Sequence, residues 1–329
     1  MIKKVTCSFN RGEREESCHE INCIIINEKN KILFQSGNVN KSYCLRSTLK
    51  PFQCAASLST GTDKTYQLSK KEIAITCASH QGEAEHINTI RSILKKINLT
   101  EKNLECGFHF PTNKQNKTKL YSKKIKHSNI YNNCSGKHSG LLAMIKNLGF
   151  NTKGYTNHNH PIHKHINNYI ENQAGAKSEH FAIDGCSLPT PYFNLFTLAN
   201  MYMKLITAEK GSPLFKVFNA MTTFPKMVSG TKGFDTHFMK IFKGKAVSKG
   251  GAEGMQALAM QTKNKGYISF ALKVADGSHR GNYVSCVKIL QHINIINSKE
   301  ANQILDFVKA DQHNLNKLKI GELVCNISD

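Results

Sequence analysis

The feature that most limits how this chain can fold is the order of two hydrophobic rhythms along it. Residues 21–27 (INCIIIN) and 31–36 (KILFQS) read as Ile-rich strands, with Glu28, Lys29 and Asn30 as a hairpin loop. A third strand is predicted through 43–45. The rhythm then becomes helical. Ser47 precedes TLKPFQCAASLS, a predicted helix that tolerates Pro51 because it falls in the first turn. Ser69 and Glu72 form a capping box for a helix through Cys77. Between Glu83 and Ile97 the residues Ile87, Ile90, Ile93, Leu94 and Ile97 make a helical stripe. Further helices are predicted from near Gly136 to about Leu148, at 161–174, at 194–207 and at 213–222. Strand pattern returns at 267–274 and 283–290, which flank ADGSHRG and read as an antiparallel hairpin, before a helix near 298–309.

Strands at both ends with helices between predict an α+β fold. The expected division is a discontinuous sheet domain, 1–46 and 210–329, and an inserted helical domain, 47–209. A length of 329 residues agrees with one large domain or two cooperating ones. No apolar run reaches the roughly 18 residues of a membrane span. The amino-terminal MIKKVTCSFN lacks the apolar stretch of a signal peptide. The eleven cysteines are odd in number and scattered without a CxxC pair, as in a cytosolic protein whose thiols stay reduced. A cytoplasmic protein without membrane partners is the expectation.

Charge needs separate weighing. Lys plus Arg number 45 against 23 Asp plus Glu, a formal +22. A polyanion partner would fit that field. The excess is nearly all lysine, however, and no motif of a nucleic-acid module accompanies it. A solvated basic surface is the favoured reading. Two stretches concentrate the charge. Residues 111–128 (PTNKQNKTKLYSKKIKHS) read as a long exposed loop, and from Cys106 to Ile170 there is no acidic residue.

Several constellations can carry chemistry. Ser47 and Lys50 form a Ser-x-x-Lys at a strand-to-helix transition, one helical turn apart. A serine hydroxyl becomes a nucleophile when a base such as a neutral lysine takes its proton. Alone the motif is common by chance. Cys134 and Lys137, in NCSGKH, are three apart on one helical face, and a helix amino terminus favours a thiolate. A buried structural Cys is the bland alternative. Asp184 and Cys186 share the turn-forming loop DGCSLP, and Cys134 with Cys186 could give two thiolates to one zinc. Ser79-His80 ends a helix, and adjacency makes no catalytic pair. Lys273 lies in a late strand, solvated unless its face lines a cleft. His158, His160, His163 and His165 resemble a metal cluster but read better as an exposed helix start in a His-rich chain.

In this order the segments RSTLKPFQ (46–53), CASHQGEAEH (77–86), NCSGKH (133–138), HPIH (160–163), DGCSLPT (184–190), MVSGTKGFDTHFM (227–239), KGGAEGM (249–255) and ALKVADG (271–277) resemble the Rhizobium etli-type L-asparaginases, the asparaginase II family. The resemblance implies a fold similar to serine β-lactamases and glutaminases, with a mixed, largely antiparallel sheet flanked by helices, an inserted helical domain and the active site expected at the domain interface. It also implies hydrolysis of the side-chain amide of L-asparagine to aspartate and ammonia. By resemblance Ser47 is the nucleophile and Lys50 its base, and Ser79 with Lys273 forms a second Ser–Lys tandem. Cys134, Lys137 and Cys186 correspond to zinc ligands, one ion per chain, with water as a fourth. Asp184 orients that site, and Arg46, His80, Gly251, Ala252 and Glu253 correspond to substrate-binding positions. A homodimer is also implied. One departure is local: Gly233 stands where the family commonly has an arginine, leaving Lys232 beside it as an imperfect substitute. The competing readings are a glutaminase or another amide hydrolase of the same fold, and a non-catalytic basic protein that binds nucleic acid.

Overall fold

The computed structural model describes residues 3–112, 117, 118, 121, 128–308 and 310–328. Most of the expected 111–128 loop lies outside the described residues. The chain divides into two compact units, Met1–Thr48 with Phe193–Ile206 and His237–Asp329, and Leu49–Tyr192 with Thr207–Thr236. Relative to the expected breaks at 46 and 210, the segment Phe193–Ile206 belongs with the sheet and Thr207–Thr236 with the helices. The reason is apolar coverage. Helix Leu195–Ile206 buries Leu195, Leu198, Ala199, Met201, Tyr202, Met203, Leu205 and Ile206, too wide an apolar surface for one stripe.

The first unit is built on an eight-stranded sheet. Its strands are β1 (Lys4–Arg11), β2 (Arg14–Asn27), β3 (Ile32–Ser36), β4 (Ala246–Gly251), β5 (Met255–Gln261), β6 (Tyr267–Val274), β7 (Asp311–His313) and β8 (Lys319–Ser328). Their spatial order is β7-β8-β1-β2-β6-β5-β4, with β3 also paired to β2, and every ladder is antiparallel. The long β2 gives its first half to β1 and its second half to β3, while Ile21–Asn27 pairs β6 along the other edge. The run Ile24–Ile25–Ile26 is fully buried, so both faces of this strand are covered. Each such side chain contributes about 1.5–3 kcal/mol of hydrophobic stabilisation. The β2–β3 hairpin matches the sequence expectation.

The expected hairpin of 267–274 with 283–290 is corrected. Tyr267–Val274 is β6, but its partners are β2 and β5, and Asn282–His292 is a helix. Val, Ile and Leu fill 284–290 so densely that strand and helix periods cannot be told apart in so short a run. The helix is selected because Val284, Val287 and Leu290, three residues apart, all reach the core.

In the second unit helix Ser135–Asn147 is the centre, buried continuously from Ser135 to Ile145. Gly136 and Gly140 let it approach the Lys70–Thr76 helix closely. A Cβ on Gly136 would stand 2.2 Å from the Ile75 carbonyl oxygen, and one on Gly140 would stand 2.6 Å from Thr76 Cγ2. The expected capping box closes that neighbouring helix: Ser69 Oγ accepts from the Glu72 N–H, and Glu72 accepts from the Ser69 N–H. A small hairpin, Phe181–Ile183 with Pro189–Phe193, carries the loop between Asp184 and Leu188.

Candidate active site

Two neighbouring groups of side chains form inside the helical unit. In the first, Lys50 opens helix Lys50–Ser59 and is 1% exposed. Its amine donates to the Ala78 carbonyl at 2.6 Å and to Ser79 Oγ at 3.0 Å. Among the described residues no carboxylate pairs with it. Ser79 is anchored by its backbone, whose N–H donates to the Val228 carbonyl at 2.9 Å. His80 follows, and its N–H donates to the Asn133 carbonyl at 3.2 Å, so the CASH, NCSGKH and MVSG segments meet here.

The ring of His80 is fully engaged. Gly82 N–H donates to Nδ1 at 3.1 Å, which leaves Nε2–H to donate to Ser135 Oγ at 2.8 Å. Ser135 in turn donates to the Ile130 carbonyl at 2.7 Å. Burial holds this imidazole neutral, well below its usual range, and His86, Lys50 and His109 add to the effect. His80, expected to bind substrate, here positions the start of the central helix.

In the second group, Cys134 sits at the amino terminus of that helix and Lys137 one turn on. The hairpin loop brings Asp184 and Cys186 to them. Lys137 Nζ donates to Cys186 Sγ at 2.9 Å, and Cys186 Sγ lies 3.3 Å from Asp184 Oδ2. The loop is held by Ser187 N–H donating to the Asp184 carbonyl at 2.8 Å, with Ser187 at φ 72°. A non-glycine residue in the left-handed region is uncommon and costs conformational energy. The sulfurs of Cys134 and Cys186 and a carboxylate oxygen of Asp184 lie within 4.8 Å of one another.

Electrostatics divides these thiols. A hydrogen bond from Cys134, then the Lys137 charge, holds Cys186 down at about 5, against the opposing effect of burial. The same hydrogen bond, together with burial, pushes Cys134 up to about 12. Burial works against the Lys137 ammonium, but the Cys186, Cys134 and Asp184 charges outweigh it and raise its pKa. Two sulfurs and one amine converge from a helix start and a loop, with a carboxylate oxygen beside them, a set that could hold a zinc ion. Lys50 lies near enough for its charge to act on Cys134. Sequence reasoning missed His138, buried in the same motif, with Nδ1 2.8 Å from the Tyr155 hydroxyl and Nε2 without a hydrogen-bond partner among the described residues. Its place beside Lys137 was the available signal.

The histidines of 158–165 do not gather into a cluster among the described residues. His160 and His163 hydrogen-bond the carbonyls of Asn151 and Tyr155 at 2.9 and 2.8 Å.

The sheet unit holds the remaining expected residues. Arg46 and Ser47 lie in a 3-10 turn, Arg46–Leu49, with Arg46 at φ 51°. Thr48 fixes this turn, its Oγ1 donating to the Leu45 carbonyl at 2.6 Å, and Tyr202 donates to the Thr48 carbonyl at 2.8 Å. Gly251 packs on the same turn; a Cβ there would stand 3.3 Å from Thr48 Cγ2 and 3.4 Å from the Leu45 oxygen. Ala252 and Glu253 form the β4–β5 turn, with Glu253 at φ 59° and Gly254 at φ 65°. Lys273 on β6 faces Met255 in the ladder, and its amine donates to the Val274 carbonyl. Burial lowers the Lys273 pKa, and the nearby Glu253 and Asp276 charges oppose that.

The family departure also has a geometric cause. A Cβ on Gly233 would stand 2.1 Å from Ser229 Oγ and 2.3 Å from the Ser229 carbonyl oxygen, so this turn admits no side chain at 233. Lys232 beside it is exposed.

The L-asparaginase II family model matches residues 7–325. This chain belongs to the L-asparaginase II family. As a member of that family it is an amidohydrolase of the L-asparaginase type. No curated protein matches it in sequence. Among solved structures it is similar to the TLA-1 extended-spectrum β-lactamase at 13% identity, covering 88% of this chain and 93% of that one, TM-score 0.40. It is also similar to a class A β-lactamase from Bacteroides cellulosilyticus DSM 14838 at 10%, covering 89% and 93%, TM-score 0.41. A Bacillus glutaminase matches at 9%, covering 88% and 89%, TM-score 0.36. No helix among the described residues of this L-asparaginase II member is long and apolar enough to cross a membrane.

Proposed function

We propose that this protein hydrolyses the side-chain amide of L-asparagine through a Ser47 acyl-enzyme. Ser47 adds to the amide carbonyl and its proton passes to Lys50. The tetrahedral intermediate collapses, the C–N bond breaks, and nitrogen leaves as ammonia after taking a proton. Water then cleaves the aspartyl ester and restores the Ser47 hydroxyl. Ser79 is assigned to relay protons, with Lys273 as its second lysine by family resemblance. Arg46 is assigned to the substrate carboxylate.

The observation that carries this reading is the setting of Lys50. Its amine is shut away from water and spends its hydrogen bonds on a hydroxyl and a carbonyl. That is the setting for an amine that exchanges protons with serine oxygens. Cys134, Lys137 and Cys186, with Asp184 beside them, would hold a zinc ion, whose chemistry would be to fix and polarise a substrate oxygen. A cytoplasmic homodimer that binds neither membrane nor nucleic acid belongs to the same proposal; its mass in solution tests the assembly.

The deciding experiment measures ammonia release from L-asparagine and L-glutamine side by side, with wild type and Ser47→Ala. Release from asparagine that vanishes in the variant is expected. An undiminished rate in Ser47→Ala would remove Ser47 from the mechanism, and preference for glutamine would change the substrate.

A further inference from the structure

The two outermost long strands of the chain, β1 near its start and β8 at its end, set two cysteines face to face. Cys7 and Cys325 are direct partners in the antiparallel β1–β8 register, and both are free thiols. Which kind of partners they are follows from the hydrogen bonds around them. In an antiparallel strand a residue's N–H and C=O point to one edge, and the edge alternates along the chain. Lys3 N–H donates to the Gln35 carbonyl at 2.9 Å and Val5 N–H to Ser36 Oγ at 3.0 Å, both toward β3 and away from β8. The Lys4 carbonyl points the other way and accepts from Ser328 Oγ at 3.4 Å on β8. Cys7, in step with Lys3 and Val5, turns its backbone away from β8. On β8, Leu323 N–H donates to the Ala310 carbonyl at 2.9 Å, so Cys325, two residues on, turns its backbone away from β1.

The two cysteines are therefore a non-hydrogen-bonded pair, whose Cα atoms approach to about 4.5 Å. That separation lies inside the roughly 4.4–6.8 Å range of disulfides. Both thiols also neighbour one residue, Ser285 of the covering helix Asn282–His292, which puts them on the same face of the sheet. Cys7 is fully buried, while Cys325 is partly exposed.

We propose that Cys7 and Cys325 form a redox-reversible cross-strand disulfide that locks the first and last long strands of the sheet together under oxidising conditions. The oxidant is a low-molecular-weight disulfide, R–S–S–R. Cys325–SH exchanges with it, giving Cys325–S–S–R and one R–SH. Cys7–SH then attacks the Cys325 sulfur, the second R–SH leaves with the thiol hydrogen, and the Cys7–Cys325 bond forms. Two electrons pass from the protein thiols to R–S–S–R, and excess thiol reverses the reaction. Because the bond closes nearly the whole chain into a loop, it restricts the unfolded state strongly.

The test incubates the full chain with glutathione disulfide and digests it without reductant. Mass spectrometry then looks for a Cys7 peptide joined to a Cys325 peptide. The linked peptide is expected, with a Tm rise of about 5 °C that dithiothreitol reverses. Cys325→Ser should show neither. Cys7→Ala should stop with glutathione on Cys325, which reads the first step even if stability drops. Wild type that also stops there, recovery of both cysteines as free thiols, or a link from Cys325 to Cys18 or Cys23 would each overturn the proposal.

Discussion

Two lysines are buried a short distance apart in the helical unit, and their surroundings give them different chemistry. Lys50 bonds to a backbone carbonyl and a serine hydroxyl, both neutral. Lys137 bonds to a sulfur held down as a thiolate at about 5, with Asp184 beyond it. In the proposed mechanism the first amine is the one assigned to exchange protons with serine oxygen. The second is a counter-ion to the Cys186 thiolate, and as the proposed zinc ligand it would first have to lose its proton. Burial is common to both, so the partners decide.

The sharpest way to break this comparison is Lys50→Met, which keeps volume and removes the amine. Turnover of asparagine is expected to fall by about 10²–10⁴-fold, the usual weight of a general base, with zinc content unchanged. Ammonia release and metal analysis on one sample check both. Lys137→Met should reverse the pattern. Zinc affinity should fall beyond the roughly 10–100-fold that an outer-shell partner costs, measured by competition with a chelator. If zinc binding survives intact, Lys137 is a counter-ion alone. Asp184→Asn should cost zinc affinity by about 10–100-fold, because the carboxylate steadies Cys186 from outside the ligand set. A loss as large as that of Lys137→Met would make Asp184 a ligand.

A third buried charge provides the structural control. Glu72 accepts from Lys96 Nζ at 2.7 Å, Ser92 Oγ at 2.8 Å and Ser69 N–H at 2.7 Å. Burial pushes this carboxyl up, but the bonds from Lys96, Ser69 and Ser92 outweigh it and hold it below its ordinary value. A depressed folded pKa means that the stability is fully present above the unfolded value of about 4.3 and lost as pH falls through the folded one. Glu72→Gln should cost about 1–3 kcal/mol at pH 7 and little once the wild-type carboxyl is protonated in acid. Urea unfolding at both pH values checks it, and activity per folded molecule should not change.

Much of the candidate site was legible because its chemistry is local. Cys134 and Lys137 are one helical turn apart, and Asp184 and Cys186 share a tight loop, so spacing made them candidates, and the family resemblance joined them into one set. Ser69 and Glu72 announced their cap in the same way. The Asn282–His292 helix was not legible, because a short dense apolar run fits either period. Nor were β1 and β8, whose mixed polar sequences acquire meaning by pairing with each other across nearly the whole chain. His80 illustrates the limit within a motif. The family resemblance put it among the substrate-binding positions, and in the fold both ring nitrogens are occupied, by Gly82 and Ser135.

By itself, the sequence determined the α+β class, the family and which side chains could do chemistry, since periodicity and motif spacing are properties of short segments. Tertiary structure alone decided that Lys50 meets Ser79, that Cys186 and not Cys134 is the favoured thiolate, and that Cys7 faces Cys325. Each of these depends on which distant groups share a small volume, where loss of water strengthens their interactions and makes an unpaired charge costly.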